Sequence, residues 1–188
     1  MGLREPAAPL LVAFGGLPGA GKTTLARALA RRLGAAYLRI DAVEQAVRDA
    51  GLPSEGPVGY GVAQALALSN LENGLPVVAD CVNPGAASRA GWRAAAARAG
   101  ARLLEVVVVC SDPAEHRRRV ETRASDIPGL EPPRWAAVEA LVFAPWPEAH
   151  LVVDTALGPA ERGVDAILAA VESGAAVRPA SAEAPPAF

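Results

Sequence analysis

The sequence predicts an α/β domain with a five-stranded parallel sheet and helices on both faces. Short apolar runs alternate with segments of helical periodicity, and glycine or a polar residue follows most of these runs. An apolar fraction of 52% in 188 residues is enough to bury one domain, but not two of ordinary size. Ligands of such sheets bind at the carboxyl ends of the strands, so functional residues are expected at that edge.

Five short apolar runs carry the strand prediction. The clearest includes four consecutive valines, and β-branched residues favour strands. Because helical segments separate the runs, the strands are expected to be parallel. The predicted strands span 10–14, 36–40, 76–79, 103–110 and 151–153.

Helices and loops are predicted from periodicity and from glycine and proline positions. The Ser111-Asp112-Pro113 sequence is typical of a helix N-cap followed by proline in the first turn. Glycines and prolines predict a loop at 51–61, and a polar, proline-bearing stretch predicts another at 124–134. Residues 1–9 are expected to form a flexible leader, 10–172 the domain and 173–188 a disordered tail. The predicted helices span 21–33, 42–50, 62–73, 86–99, 113–123, 134–143 and 159–172.

Composition narrows the function classes. A net charge of −2 gives no overall positive field, which argues against a nucleic-acid partner. No signal-peptide pattern is present and 10–16 is too short to span a bilayer, so a cytoplasmic protein without membrane contact is expected. Cys81 and Cys110 lie in or beside apolar runs and are expected to be buried free thiols. With only two histidines and no Cys-x-x-Cys pair, a zinc site is not predicted.

The segment after the first strand matches the phosphate-binding loop, or P-loop: glycine, four residues, then Gly-Lys-Thr. Glycines let successive N–H groups turn toward phosphate oxygens, and the following helix adds its positive dipole end. Lys22, the only lysine of the chain, is expected to reach the β- and γ-phosphates. Thr23 is expected to bind Mg²⁺ and Thr24 to donate near the α-phosphate. The predicted nucleotide-binding residues are Gly16, Pro18, Gly19, Ala20, Gly21, Lys22, Thr23 and Thr24.

With this motif in place, the chain resembles the small P-loop kinases, a group that includes chloramphenicol phosphotransferase, gluconate kinase, adenylylsulfate kinase and the kinase domain of polynucleotide kinase. The resemblance covers about 10–172 and rests on the P-loop, Asp41 after the second strand, Asp80-Cys81-Val82-Asn83-Pro84 after the third, and arginines flanking the loop at 124–134. It implies a three-layer P-loop NTPase fold with that loop as a small lid. It also implies ATP and Mg²⁺ as cofactors and transfer of the γ-phosphate to a hydroxyl of a small-molecule acceptor.

The resemblance implies roles for four acceptor-side residues. Asp41 would orient the acceptor hydroxyl and take its proton, although it could also cap the helix predicted from residue 42. Asp80 would bind Mg²⁺ or contact the acceptor, unless it only caps a turn. Asn83 and Arg89 resemble substrate-binding residues of the group.

Arg119 and Arg123 are four residues apart, which places them on one face of a helix. In the kinases that the chain resembles, such arginines grip the phosphates at the base of the lid and neutralise transition-state charge. The alternative is a solvated basic face, with Glu115 paired to Arg119, and the 116–118 residues are expected to belong to such a face. Among the aromatic residues, Trp135 beside the lid is the candidate for an acceptor pocket, whereas packing is expected for most of Tyr60, Trp92 and Trp146.

Three other functions are weighed. A nucleic-acid end kinase would need a positive groove. A regulatory nucleotide switch, which hydrolyses slowly and binds partners, would be supported by a guanine-reading Asn-Lys-x-Asp run. That run cannot exist here, because Lys22 lies in the P-loop and no other lysine exists. A mechanical P-loop ATPase is disfavoured by the short chain. The acceptor, the choice between ATP and GTP, and the oligomeric state are left open.

Overall fold

The structure is a computed structural model, which describes residues 8–54 and 56–174. All strand pairs in its sheet are parallel and the strand order is β2-β3-β1-β4-β5, so the predicted fold class is confirmed. Most of the predicted leader and tail lies outside the described residues. The strands are β1 (Leu10–Gly15), β2 (Ala36–Arg39), β3 (Val77–Asp80), β4 (Arg102–Val109) and β5 (Leu151–Asp154).

Helices cover both faces of the sheet because the residues of the central strand alternate between two cores. Val12 and Phe14 of β1 pack with the first and last helices, whereas Leu11 and Ala13 pack with the third and fourth. Within the described residues, no helix has the length and apolarity needed to cross a membrane. The helices are α1 (Lys22–Leu33), α2 (Ile40–Asp49), α3 (Val58–Glu72), α4 (Ala86–Arg98), α5 (Pro113–Thr122), α6 (Trp135–Glu139) and α7 (Ala160–Ser173).

The second strand ends earlier than predicted. Arg39 is its last residue and pairs in register with Asp80 of β3, and α2 begins at once with Ile40. Asp41 therefore lies in the first turn of α2, and the alternative role of Asp41 as N-cap is wrong. The N-cap position belongs to Arg39, whose side chain makes no capping hydrogen bond.

The predicted loop at 51–61 is too long, because α3 begins at Val58. Gly59 is not a loop residue: a Cβ at this position would overlap the side chain of Glu44, so glycine lets α3 approach α2 closely. A glycine required for helix packing was thus mistaken for a helix breaker.

The predicted helix at 134–143 is also too long, since α6 has only five residues. The segment 141–150, here called the strap, instead crosses the α4 face of the sheet. The amide of Ala144 donates to the carbonyl of Pro84 at 2.8 Å, and a Cβ at Gly15 would overlap the ring of Trp146. The last helix runs one residue further than predicted, to Ser173.

Asn83 anchors the polar interior of the α3–α4 face. It is fully buried, and its backbone adopts a left-handed conformation with φ of 52°. Its side-chain amide donates to the Phe14 carbonyl at 2.8 Å, and its side-chain oxygen accepts from the indole N–H of Trp92 at 3.1 Å. The backbone amide of Asn83 donates to the hydroxyl of Tyr60 at 2.9 Å, so this residue ties β1 to α3 and α4.

Replacing Trp92 with Phe should lower the free energy of unfolding by about 1–3 kcal/mol, because the buried Asn83 side-chain oxygen loses its donor. The matched change Trp135→Phe at a half-buried position should cost less. Urea unfolding of the wild type and both variants measures the difference. Equal losses in the two variants would contradict a specific role for the Trp92–Asn83 hydrogen bond.

Candidate active site

The P-loop connects β1 to α1 with glycines in conformations that other residues rarely adopt. Gly16, Gly19 and Gly21 have φ values of 132°, 85° and 99°. Gly21 is the N-cap of α1 and has no side chain to cap it, so the first N–H groups of the helix are open to an anion. A Cβ at Gly16 would overlap the backbone carbonyl of Val108, which makes glycine necessary there for close packing as well.

Lys22 is buried under this loop, with only 8% of its surface exposed. Its ammonium donates to the carbonyl of Leu17 at 2.9 Å. Burial lowers the pKa of Lys22, while Asp80 and Asp41 act in the opposite direction and Arg123 adds to the lowering. The two carboxylates favour the charged form of Lys22. A buried ammonium group of this kind is suited to bind an anion.

Helix α5 packs against the P-loop. The imidazole Nε2 of His116 lies 2.8 Å from the Pro18 carbonyl, which fits a donated N–H, and the edge of the ring meets Trp135 with centroids 5.3 Å apart. A Cβ at Gly19 would overlap Val120. His116 is therefore a buried support of the loop, and the expectation that it belongs to a solvated basic face is wrong.

Arg119 joins α5 to the loop after β5. Its guanidinium donates to Glu115 at 2.8 Å, to the Thr155 hydroxyl at 2.7 Å and to the Thr155 carbonyl at 3.2 Å. The Thr155 hydroxyl oxygen is itself 2.8 Å from the carbonyl of Ala20 in the P-loop. The Glu115–Arg119 pair that was weighed as an alternative exists, but the same guanidinium also reaches the edge of the P-loop through Thr155.

Arg123 lies at the C-cap of α5, with extended backbone angles of φ −70° and ψ 134°. Arg123 lies one helical turn beyond Arg119, because its amide donates to the Arg119 carbonyl at 3.2 Å and the chain leaves the helix only after Arg123. Arg123 also lies close enough to Lys22 to act on its pKa. The structure brings both arginines to the P-loop by different routes.

Asp80, at the end of β3, is buried beside two side chains of β2. The hydroxyl of Tyr37 donates to its Oδ2 at 2.6 Å, and the Nε of Arg39 lies 3.9 Å from the same oxygen. Burial, and then the Asp80 charge, raises the pKa of Tyr37, which keeps the hydroxyl a donor. Across the described residues, Asp80 Oδ1 makes no hydrogen bond and remains available to a ligand.

Asp41 is partly exposed in the first turn of α2, and its Oδ2 is 3.4 Å from a guanidinium nitrogen of Arg39. Glu44, one turn further along, is half-buried against Gly59. Burial raises the pKa of Glu44, and the Asp41 charge raises it further. Two carboxyl groups therefore share one face of α2 beside the strand ends.

The lid segment, residues 124–134, contacts the strand ends through Asp126. One oxygen of this carboxylate accepts from Arg39 at 2.8 Å, and the other is paired with Arg27 of α1. The hydrogen bonds from Arg39 and then Arg27 lower the pKa of Asp126 to about 2. The segment predicted as a lid is thus tied to the sheet and to α1 by one carboxylate.

Arg89 does not reach the site. It is buried in α4, donates to the carbonyl of Pro145 at 2.8 Å, and stacks on the ring of Trp146 with its guanidinium carbon 4.9 Å from the ring centre. These contacts hold the strap. The two terminal nitrogens of Arg89 and both polar atoms of the Asn83 side chain contact protein groups, so we do not include either residue among the proposed substrate ligands.

The two threonines of the P-loop motif lie at the start of α1. Thr23 is half-buried and Thr24 exposed in the first turn of α1. In the described part of the chain the Thr23 hydroxyl makes no hydrogen bond to protein. No cluster of three or more His, Cys, Asp or Glu side chains suited to a metal occurs among residues 8–54 and 56–174. Both cysteines are buried free thiols, as predicted.

Sequence reasoning missed four residues of the site: Arg39, Asp126, His116 and Thr155. Arg39 had a signal, since a charged residue inside an apolar strand needs a partner, and it stands two residues before Asp41. His116 and Thr155 had none, because each acts through a main-chain carbonyl of the P-loop. Asp126 lies in the predicted lid, and its partners come from distant elements.

Comparison with known proteins identifies the family of this chain. A family model described as an AAA domain matches residues 11–131, more than half of the chain. A comparison with curated protein sequences finds no match.

Solved structures extend the likeness over most of the chain. A gluconokinase from Sinorhizobium meliloti 1021 is 19% identical, with a TM-score of 0.63 over 88% of this chain and 93% of its own. The APS kinase CysC of Mycobacterium tuberculosis, in complex with AMPPNP and APS, is 20% identical, with a TM-score of 0.68 over 89% and 99%. Kti12 of Chaetomium thermophilum, in complex with ADP-AlF3, is 23% identical, with a TM-score of 0.59 over 86% and 98%.

The predicted resemblance to small P-loop kinases is therefore confirmed at the level of fold. The motif at 16–23, the parallel sheet and the family match agree with one another. The chain belongs to the AAA domain family and has the fold of the small P-loop kinase-type domains.

Proposed function

We propose that the protein is an ATP- and Mg²⁺-dependent phosphotransferase that moves the γ-phosphate to a hydroxyl of a small molecule. The observation that supports this most directly is the buried Lys22 ammonium beneath a glycine loop, near enough to Asp80 and Asp41 for their charges to counter the effect of burial on its pKa. The loop would offer N–H groups to polyphosphate, and the two carboxylates would meet an acceptor. The gluconokinase and the APS kinase with the same fold act on small molecules according to their names.

The P-loop would hold the nucleotide through the residues predicted from the motif, with Lys22 on the β- and γ-phosphates. Arg119 and Thr155 lie at the edge of the loop, and Arg123 beside Lys22. The two arginines would neutralise charge on the transferred phosphoryl group and would thereby lower the activation barrier of the transfer. His116 contacts the Pro18 carbonyl and would help to fix the shape of the loop.

Mg²⁺ fits the donors that remain open. The Thr23 hydroxyl and the Oδ1 of Asp80 make no hydrogen bond in the described part of the chain, and both are oxygen donors of the kind this ion prefers. The chemistry that Mg²⁺ would supply there, held by Thr23 and Asp80, is positive charge that offsets the charge of the phosphates. Asp80 would reach it directly or through water.

Asp41 would orient the acceptor hydroxyl and accept its proton as the phosphoryl group leaves ATP. Its position in the first turn of α2 fixes the carboxylate on a rigid element. The lid segment would close over the reactants and exclude water, a competing acceptor. We place the protein in the cytoplasm as part of this proposal.

Slow hydrolysis in a regulatory protein is the second candidate, because Kti12 shares the fold and its structure holds ADP-AlF3. A panel of hydroxyl-bearing metabolites and antibiotics, scored for ADP release with ATP and Mg²⁺, separates the two. Release that requires an acceptor supports the kinase. Equal release with ATP alone would favour hydrolysis.

Replacing Lys22 with Ala should weaken Mg·ATP binding roughly 10- to 100-fold, because charge-assisted hydrogen bonds to the phosphates are lost. Calorimetry with the wild type and the variant measures this. The exposed Arg32→Ala change in the same helix is the charge-matched control and should bind as the wild type does. Binding that survives the loss of Lys22 would remove the basis of the proposed function.

Replacing Asp41 with Asn should reduce acceptor-dependent ADP release by about 10²- to 10⁴-fold and leave nucleotide affinity within a few-fold, since the general base is lost but the P-loop is intact. Asp49→Asn, at the exposed end of the same helix, is the isosteric control and should keep full activity. If Asp41→Asn retains activity, the base is not Asp41, and Asp80→Asn becomes the next variant to assay.

A further inference from the structure

Arg39 is a buried cation whose closest partner comes from the lid. Only 8% of its surface is exposed. Its guanidinium lies 2.8 Å from Asp126, 3.4 Å from Asp41 and 3.9 Å from Asp80. Its Nε makes no hydrogen bond in the described part of the chain, because the Asp80 oxygen is too far away. Asp126 is thus the strongest counter-ion of Arg39, although 44% of the Asp126 side chain is exposed.

A second arginine converges on the same carboxylate. Arg27 of α1 binds one oxygen of Asp126, while Arg39 of β2 binds the other. Two guanidinium groups fixed on separate rigid elements and pointing at one carboxylate form the arrangement by which proteins bind phosphate and carboxylate ligands. Here a residue of the protein fills that position.

Any movement of the lid that separates Asp126 from Arg39 leaves the buried guanidinium with the longer contacts to Asp41 at 3.4 Å and Asp80 at 3.9 Å. Loss of the closest counter-ion of a buried charge is costly, so another anion is favoured in that position. The candidate base Asp41 lies 3.4 Å from the same guanidinium. A small molecule whose hydroxyl contacts Asp41 would therefore bring its neighbouring substituent to Arg39.

We propose that Arg27 and Arg39 form an anion subsite for the acceptor, which Asp126 occupies when the acceptor is absent. The acceptor is then a small hydroxy compound that also carries a phosphate, sulfate or carboxylate group. Binding of that group displaces Asp126 from the two arginines. This inference rests on the proposed function, because it defines the class of acceptor.

Inorganic phosphate is the probe, titrated by calorimetry into protein saturated with Mg²⁺ and a non-hydrolysable ATP analogue, so that the P-loop is filled. Asp126→Asn should bind phosphate about tenfold or more tightly than the wild type, because the competing carboxylate is gone. Asp165→Asn is the matched control: Asp165 pairs with Arg32 at 3.2 Å on an exposed surface away from the site. This control should bind phosphate as weakly as the wild type does.

The gain in phosphate affinity must depend on the two arginines. It should disappear in the double variant Asp126→Asn/Arg39→Gln. Because Arg39 is buried and its replacement can destabilise the domain, Asp126→Asn/Arg27→Gln provides a second measurement at a half-exposed position, where we expect a several-fold smaller gain. An unchanged affinity in Asp126→Asn, or a gain that persists in both double variants, would overturn the inference.

A further arm distinguishes the two possible sources of the anion. If the tight phosphate binding of Asp126→Asn occurs without nucleotide but vanishes with the analogue bound, the subsite belongs to the terminal phosphate of ATP and the inference is wrong. The analogue titration reports separately on the proposed function. If the analogue does not bind, phosphate can also bind to the empty P-loop. That contribution is the same in Asp126→Asn and in its double variants, so the difference between their phosphate affinities still tests the arginine subsite.

Discussion

The burial of the Lys22 ammonium under the glycine loop is the constraint on which the rest of the site depends. A cation with so little exposed surface loses most of its hydration, and a single carbonyl at 2.9 Å does not replace it. The end of β3 and the first turn of α2 bring Asp80 and Asp41 close, and these carboxylates offset part of that cost. The acidic edge of the sheet and the lysine are therefore two parts of one electrostatic unit.

The same edge carries a further cation, Arg39, which holds the acidic side chains of the site together. Arg39 lies between Asp41, Asp80 and Asp126, and Tyr37 donates to Asp80. Each carboxylate that would act on a metal or an acceptor already has a partner that orients it. Such pre-arranged side chains lose little freedom when a substrate binds.

The sequence allowed the fold class, the five strands and the P-loop to be predicted, because each leaves a local pattern of apolar runs or glycines. The boundaries that failed were decided by tertiary contacts. Gly59 was interpreted as a loop residue, yet it lets α3 approach α2, and the predicted sixth helix gives way to a strap held by Pro84 and Trp146. Of the candidate site, the motif residues were predictable, whereas His116 supports the loop through a hydrogen bond to a main-chain carbonyl. Such a bond cannot be predicted from the sequence, because every residue type has a main-chain carbonyl.

The contact between Gly15 and Trp146 has a consequence for how this chain can vary. The ring occupies the space that any side chain at position 15 would need, directly before the first glycine of the P-loop. A larger residue at 15 is tolerable only with a smaller one at 146, so the two positions should covary among relatives. Laboratory evolution that diversifies the strap should accordingly treat both positions as one library site.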